Sequence, residues 1–134
     1  MSIDVSEIDA RDRAAVAAVA TDYIEAWLDG DADRMARALH PALAKRSVAT
    51  DGRDAGRGID SLTASEMVDA TLAGRGRRHA REFTVEILDA YRDVASVVVR
   101  SVPYVDYLHV ARVDGRWQIV NVLWQSRRDD GTTG

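Results

Sequence analysis

The chain is 134 residues long, with a formal net charge of −4 and a pI near 5.3; the length suits one domain, and the charge offers nucleic-acid backbones no general attraction. It has no cysteine, which excludes disulfides, thiolate metal sites and cysteine nucleophiles together. With 46% hydrophobic and 30% charged residues the composition is that of a globular domain, and no apolar run approaches the ~18 residues of a membrane span.

The segment from Met1 to Asp9 is acidic and lacks the basic start and apolar core of a secretory signal, so a cytoplasmic location is expected. From Asp9 to Leu28 the residues Val16, Val19, Ala20, Tyr23, Ile24 and Trp27 recur on one face of a 3.6-residue period, which predicts a first helix ended by Gly30. Asp31 is placed to cap a second helix carrying Met35, Ala38 and Leu39, stopped at Pro41 because proline disfavours helical geometry in the residue before it. His40, at that helix end, suits a cation that complements the helix dipole. A short strand fits Leu43 to Val48, and the glycine-rich, charged stretch Thr50 to Gly58 reads as a mobile loop, open to a role as a lid or as a plain connection. Thr63-Ala-Ser-Glu66 is a capping-box pattern that starts a third helix with a stripe of Met67, Val68, Thr71 and Leu72, ended at Gly74.

Gly74-Arg-Gly-Arg-Arg-His-Ala-Arg81 follows, with four arginines, His79 and no interleaved aromatic residue for base stacking. Since all but one of the 18 basic residues are arginine, this run reads as a solvated loop rather than a nucleic-acid site, with His79 facing solvent. Phe83, Val85 and Ile87 then alternate with polar residues, and Val94 to Val102 contains three consecutive β-branched residues, Val97 to Val99, so two strands are predicted. Two longer strands span Tyr104 to Gln125 around an Asp114-Gly115 turn. Helices first and antiparallel strands last define an α+β fold, a single domain over residues 1–126 with a disordered polar tail over 127–134.

An N-terminal helix ending in Gly30-Asp31, Leu39-His-Pro41, a third helix and long strands ending in Asp114-Gly-Arg-Trp-Gln-Ile-Val120 resemble the nuclear-transport-factor-2-like (SnoaL-like) superfamily over nearly the whole chain. Within it, Tyr23-Ile-Glu-Ala-Trp27, Ala38-Leu-His-Pro-Ala-Leu-Ala-Lys-Arg46, Val85-Glu-Ile-Leu-Asp89 and Val105-Asp-Tyr-Leu-His109 are similar to the family labelled putative lumazine-binding. The resemblance implies a cone, in which three helices pack on a curved, mainly antiparallel sheet around an internal cavity, and a homodimer joined through the sheet. Isomerases, dehydratases, cyclases and non-catalytic binders share that shape, so the fold does not select a function.

A two-residue turn at Asp114-Gly115 pairs Val113 with Arg116 and, in unbroken register, His109 with Val120. One face then carries Val105, Tyr107, His109, Ala111, Gln118, Val120, Val122 and Trp124; the other carries Tyr104, Asp106, Leu108, Val110, Trp117, Ile119, Asn121 and Leu123. Both faces are substantially apolar, as expected of a sheet covered by helices on one side and by a second subunit on the other. Periodicity does not choose the inward face. The resemblance to the superfamily's steroid isomerases implies that a helix tyrosine and a strand acid, which donate to an oxyanion, match Tyr23 and His109, and that the isomerase's basic aspartate falls on Ser47. Serine without a neighbouring base does not abstract a carbon-bound proton. Asp106 and Asn121 become the polar groups of the pocket if the faces are reversed.

The leading reading is therefore a small-molecule pocket walled by Tyr23, Trp27, Met67, Tyr107, Val120 and Trp124, with His109 supplying polarity and without required turnover. Aromatic residues at helical spacing, as Tyr23 and Trp27 are, usually pack in the core, and His109 equally suits a satisfied core histidine. An isomerase, dehydratase or cyclase using His109 as acid or base and Tyr23 as oxyanion donor is the enzymatic alternative. A dimeric interaction module with a filled cavity is the third. No cofactor is expected. No metal site is expected either, because no histidine and carboxylate pair shows the i, i+4 spacing of a helical site.

Overall fold

The computed structural model describes residues 8–48 and 56–127. The acidic start to residue 7, most of the 50–58 loop and the tail beyond residue 127, each assigned a character above, lie outside the described residues.

Helix α1 spans Ala10–Asp29, capped at its start by the Asp9 carboxylate, which accepts from the Asp12 N–H at 2.8 Å. Gly30 closes it in the left-handed region (φ 72°), where its N–H reaches the last-turn carbonyls of Ala26 and Trp27. Asp31 caps α2, Ala32–Ala38, as its sequence position implies. The two helices are clasped by Arg34, which donates to Asp22 at 2.9 Å and to Glu25 at 2.6 Å.

The predicted end of α2 at Pro41 is corrected: the helix stops at Ala38, and Leu39 begins strand β1, Leu39–Val48. Pairing with the last strand overrides the helical reading of Leu39, and Pro41 sits where that pairing is irregular, between Leu39 and Ala44, so its missing N–H breaks no ladder bond. His40 does not act at a helix end; its Nδ1 accepts from the Ala42 N–H at 2.9 Å. Strand β2, Ile59–Leu62, has no hydrophobic alternation to announce it and exists as an antiparallel edge on β1. Helix α3, Ala64–Leu72, carries the complete capping box of Thr63 and Glu66.

Strands β3 (Phe83–Tyr91), β4 (Val94–Ser101), β5 (Tyr104–Val113) and β6 (Arg116–Ser126) complete a six-stranded sheet in the order β2-β1-β6-β5-β4-β3. All neighbours are antiparallel except β1 and β6. At the β5–β6 turn Asp114 and Gly115 both take positive φ (52° and 78°), the conformation whose twist matches a two-residue hairpin. The architecture is the α+β cone: a curved, open sheet with its three helices on the concave side. Val16, Ala20, Tyr23 and Ile24 of α1 pack there against Val97, Val99, Leu108, Val110, Ile119 and Val122 of the sheet.

A β-bulge divides the final hairpin. Val110 pairs with Ile119, but the next pair is His109 with Asn121, leaving Val120 unpaired. The expected pairing of His109 with Val120 is thus corrected, and the extra residue exchanges the faces of everything beyond it. Val122 and Trp124 join Asp106 and Leu108 on the concave side, while Asn121 and Leu123 join Tyr107 and His109 on the convex side.

Candidate functional site

Between α1, α3 and the concave sheet lies a cavity of about 240 Å³. One of its buried polar groups is the amine of Lys45, delivered by β1. The inward parity of that strand is Leu43, Lys45 and Ser47, all buried. Lys45 Nζ donates to Tyr23 Oη at 2.7 Å and contacts Met67 Sδ at 3.4 Å. It also sits over three aromatic rings, 5.1 Å from the centre of Tyr23, 5.8 Å from Trp27 and 5.4 Å from Trp124. Burial removes water from the ammonium and lowers the Lys45 pKa to about 8, partly opposed by the charge of Asp106.

Asp106 enters from β5 on the same side and is 3% exposed. Its Oδ1 has no hydrogen-bond partner among the described residues. Burial raises its pKa to about 6, partly opposed by the Lys45 charge. The phenol of Tyr23 is held well above its ordinary pKa, first by burial and then by the charge of Asp106, so it stays a neutral hydroxyl. A buried amine, a neutral phenol and an unpartnered carboxylate oxygen thus line one apolar chamber. Tyr104 and Trp124 close its wall edge to face, 5.2 Å between ring centres.

The arginine run is not simply a solvated loop. Arg75 and Arg78 line the cavity beside Leu62, Arg81 pairs with Asp29 at the end of α1, and the half-buried ring of His79 lies 3.1 Å from Tyr104 Oη. Burial and the neighbouring Arg78 lower the His79 pKa. Gly76 holds this loop close: a Cβ at that position would overlap the carbonyl oxygen and indole of Trp27. The composition of the run signals charge but not where the loop docks.

Among the residues singled out from sequence, the structure brings Tyr23, Trp27, Met67 and Trp124 together around the cavity. It does not bring Tyr107, His109 or Val120 there. Tyr107, 51% exposed, and His109 lie on the convex face, and Val120 is the unpaired residue of the bulge. The expectation that His109 supplies the polarity of the pocket is therefore corrected, as is its pairing with Tyr23 around one ligand atom. The covering helices sit on the Asp106 side of β5, and the imidazole instead meets Asn121 Nδ2 at 3.3 Å. Asp106 becomes the interior polar group, as the reversed-face alternative implies, whereas Asn121 is carried outward by the bulge. Ser47 is buried but is not part of the cavity wall. Sequence reasoning passed over Lys45, although a single lysine among arginines, spaced two residues from Leu43 and from Ser47 on a predicted strand, is the available signal. Among the described residues no cluster of histidines and carboxylates is placed to hold a metal ion, and no helix is long and apolar enough to cross a membrane.

The curved sheet over three helices, with polar groups converging inside, defines a protein of the nuclear-transport-factor-2-like class. Solved structures agree on that fold. One of unknown function from Silicibacter pomeroyi matches with a TM-score of 0.69 at 17% identity, covering 87% of this chain and 97% of its own. Another of unknown function from Shewanella baltica gives 0.69 at 14% identity, covering 91% and 98%. A ketosteroid isomerase-like protein from Erwinia carotovora gives 0.63 at 14% identity, covering 90% and 100%. The family model described as putative lumazine-binding matches residues 11–125, and the chain belongs to that family. No curated protein matches it by sequence.

Proposed function

We propose that the protein binds a small planar heterocycle inside the cone, one that presents both carbonyl acceptors and an N–H donor, as the dione ring of a lumazine does. The observation that carries this reading is the unpartnered Asp106 Oδ1, buried in an otherwise apolar chamber that also holds Lys45. A buried carboxylate oxygen without a partner costs free energy that a ligand N–H recovers. A ring carbonyl is complementary to the hydroxyl of Tyr23 and the amine of Lys45, and Trp27, Tyr104 and Trp124 supply the apolar and aromatic wall. Arg75 and Arg78 favour a ligand with negative charge on its outer side. The family description supports the ring class.

Titration of the protein with lumazine, followed by quenching of tryptophan emission, tests the reading. Saturable quenching is expected, weakened about tenfold or more by Asp106→Asn, because the amide cannot replace a charged acceptor. Absence of saturation at about 1 mM lumazine, an affinity of only ~4 kcal/mol, contradicts it.

The partner expected through the sheet is a second copy of this chain. The convex face exposes Tyr107 and Leu123, both about half accessible, beside Arg46, His109 and Asn121, and an apolar patch with such a polar rim suits an isologous contact. A solution mass of twice the chain mass is the expected reading by light scattering.

A further inference from the structure

Lys45 is the sole lysine of the sequence; every other member of the 18 basic residues is an arginine. That single amine, rather than standing on the surface as lysine commonly does, is buried in the wall of the cavity, hydrogen-bonded to a phenol and surrounded by aromatic rings. A guanidinium there would remain a cation, whereas an amine can release its proton and act as a nucleophile. From this placement we infer that Lys45 captures carbonyl compounds, forming a reversible protonated imine with an aromatic aldehyde or ketone admitted to the cavity. The inference rests on the cavity being a ligand site, and it assigns that site a covalent step.

The chemistry balances without a redox partner. The ammonium first gives up a proton, and the neutral amine attacks the carbonyl carbon; a C–N bond forms, the C=O π pair moves to oxygen, which takes up a proton, and the attached nitrogen gives one up. The resulting neutral carbinolamine loses its hydroxyl as water after a second protonation of oxygen, and the nitrogen lone pair closes the C=N bond. Ammonium plus carbonyl thus become iminium plus one water. Each participating group is in the chamber. The Tyr23 hydroxyl accepts from Nζ and keeps its own hydrogen to donate to the carbonyl or carbinolamine oxygen. Asp106, with its pKa raised to about 6 and its Oδ1 without a partner among the described residues, exchanges protons between the amine and the leaving hydroxyl. The titratable and charged groups around the cavity are Tyr23 of α1, Tyr104 and Asp106 of β5, and Arg75 and Arg78 of the α3–β3 loop. With the amine at about 8, roughly one molecule in ten holds it neutral at pH 7, against about one in three thousand for a solvated lysine.

The test uses the full chain and 4-carboxybenzaldehyde, an aromatic aldehyde whose carboxylate complements Arg75 and Arg78. The protein is incubated with it and cyanoborohydride, and the reduced adduct is located by peptide mass mapping. Only Lys45 and the α-amino terminus offer amines, so the map assigns the site without a variant. A single adduct on Lys45 is expected, with trapping that rises to half its maximum near pH 8, and no cavity adduct in Lys45→Arg. Asp106→Asn is expected to move that midpoint to lower pH, since it removes the anion that supports the ammonium; a merely structural role for Asp106 leaves the midpoint in place. Adduct confined to the N-terminus, while the aldehyde still quenches tryptophan emission saturably, overturns the inference and leaves the binding proposal intact. Neither adduct nor quenching, with the aldehyde or with lumazine, overturns both.

Discussion

The two faces of the β5–β6 hairpin are built from nearly the same materials and end in opposite surroundings. The concave face sets Asp106, Leu108, Val110, Ile119, Val122 and Trp124 against the helices, whereas the convex face presents Tyr107, His109, Asn121 and Leu123 to the exterior. Each has an aromatic ring, aliphatic side chains and a titratable group. Burial alone makes the difference chemical. Asp106 is driven up to about 6 by desolvation and Lys45 down to about 8, while the half-exposed Tyr107 and the imidazole of His109 meet no comparable chamber. A site in this fold is therefore created by what covers a strand rather than by which residue types the strand carries.

The largest test of that contrast compares two leucines. Leu108→Ala on the concave face, where the side chain is 1% exposed, is expected to cost about 2–5 kcal/mol, because it removes buried methyl groups and leaves a cavity. Leu123→Ala, 52% exposed, is expected to change the stability of the single chain by no more than ~0.5 kcal/mol. Urea unfolding of both variants measures the difference, and equal costs break the assignment of faces.

Titration sharpens it next. Asp106 binds its proton more tightly folded, at about 6, than at its ordinary 3.8. The folded state therefore holds more protons between about pH 4 and 6, and the contribution present at low pH is lost as pH rises through that window. Lys45 runs the other way. With its folded pKa lowered from 10.5 to about 8, the unfolded state holds more protons between those values, so stability rises with pH across them. Each slope amounts to about 3 kcal/mol across its window. Asp106→Asn is expected to abolish the first slope and Lys45→Met the second, whereas His109→Ala alters neither. Denaturation midpoints across the pH range provide the check.

Gly76→Ala probes the docking of the arginine loop. The new methyl meets the Trp27 backbone and indole, an overpacking worth about 1–3 kcal/mol. Thermal unfolding together with lumazine titration should show both stability and affinity reduced. A variant with unchanged affinity separates the loop from the cavity wall. The smallest effect on the fold is expected from Tyr107→Glu on the convex face. It should leave the unfolding midpoint of a dilute, monomeric sample nearly unchanged while converting a dimer to a monomer by light scattering, since it places like charges opposite one another at a two-fold contact.

Much of the architecture is legible in the sequence. Asp31 announces a helix start, Gly30 an end, Thr63 and Glu66 a capping box and Asp114-Gly115 a hairpin, because caps and tight turns depend on a few adjacent residues. Tyr23, Trp27 and Met67 at the cavity were reachable through helical periodicity. Asp106 was visible only as an alternative. Lys45 went unnoticed in a short strand whose neighbour, β6, lies some seventy residues later in the chain. Leu39 and Ile59–Leu62 likewise owe their strand conformation to partners that local propensity does not see.

Sequence by itself determined the order of elements, their caps and the two-faced character of the final hairpin, since each is governed by contacts within a few residues. Only the tertiary structure decided which face is roofed by α1, and only the extra residue Val120 decided that Trp124 turns inward and Asn121 outward. The physical reason is that a period of two separates two faces without naming them. The name comes from burial against a helix about eighty residues earlier, and burial also changes the pKa of Lys45 and of Asp106.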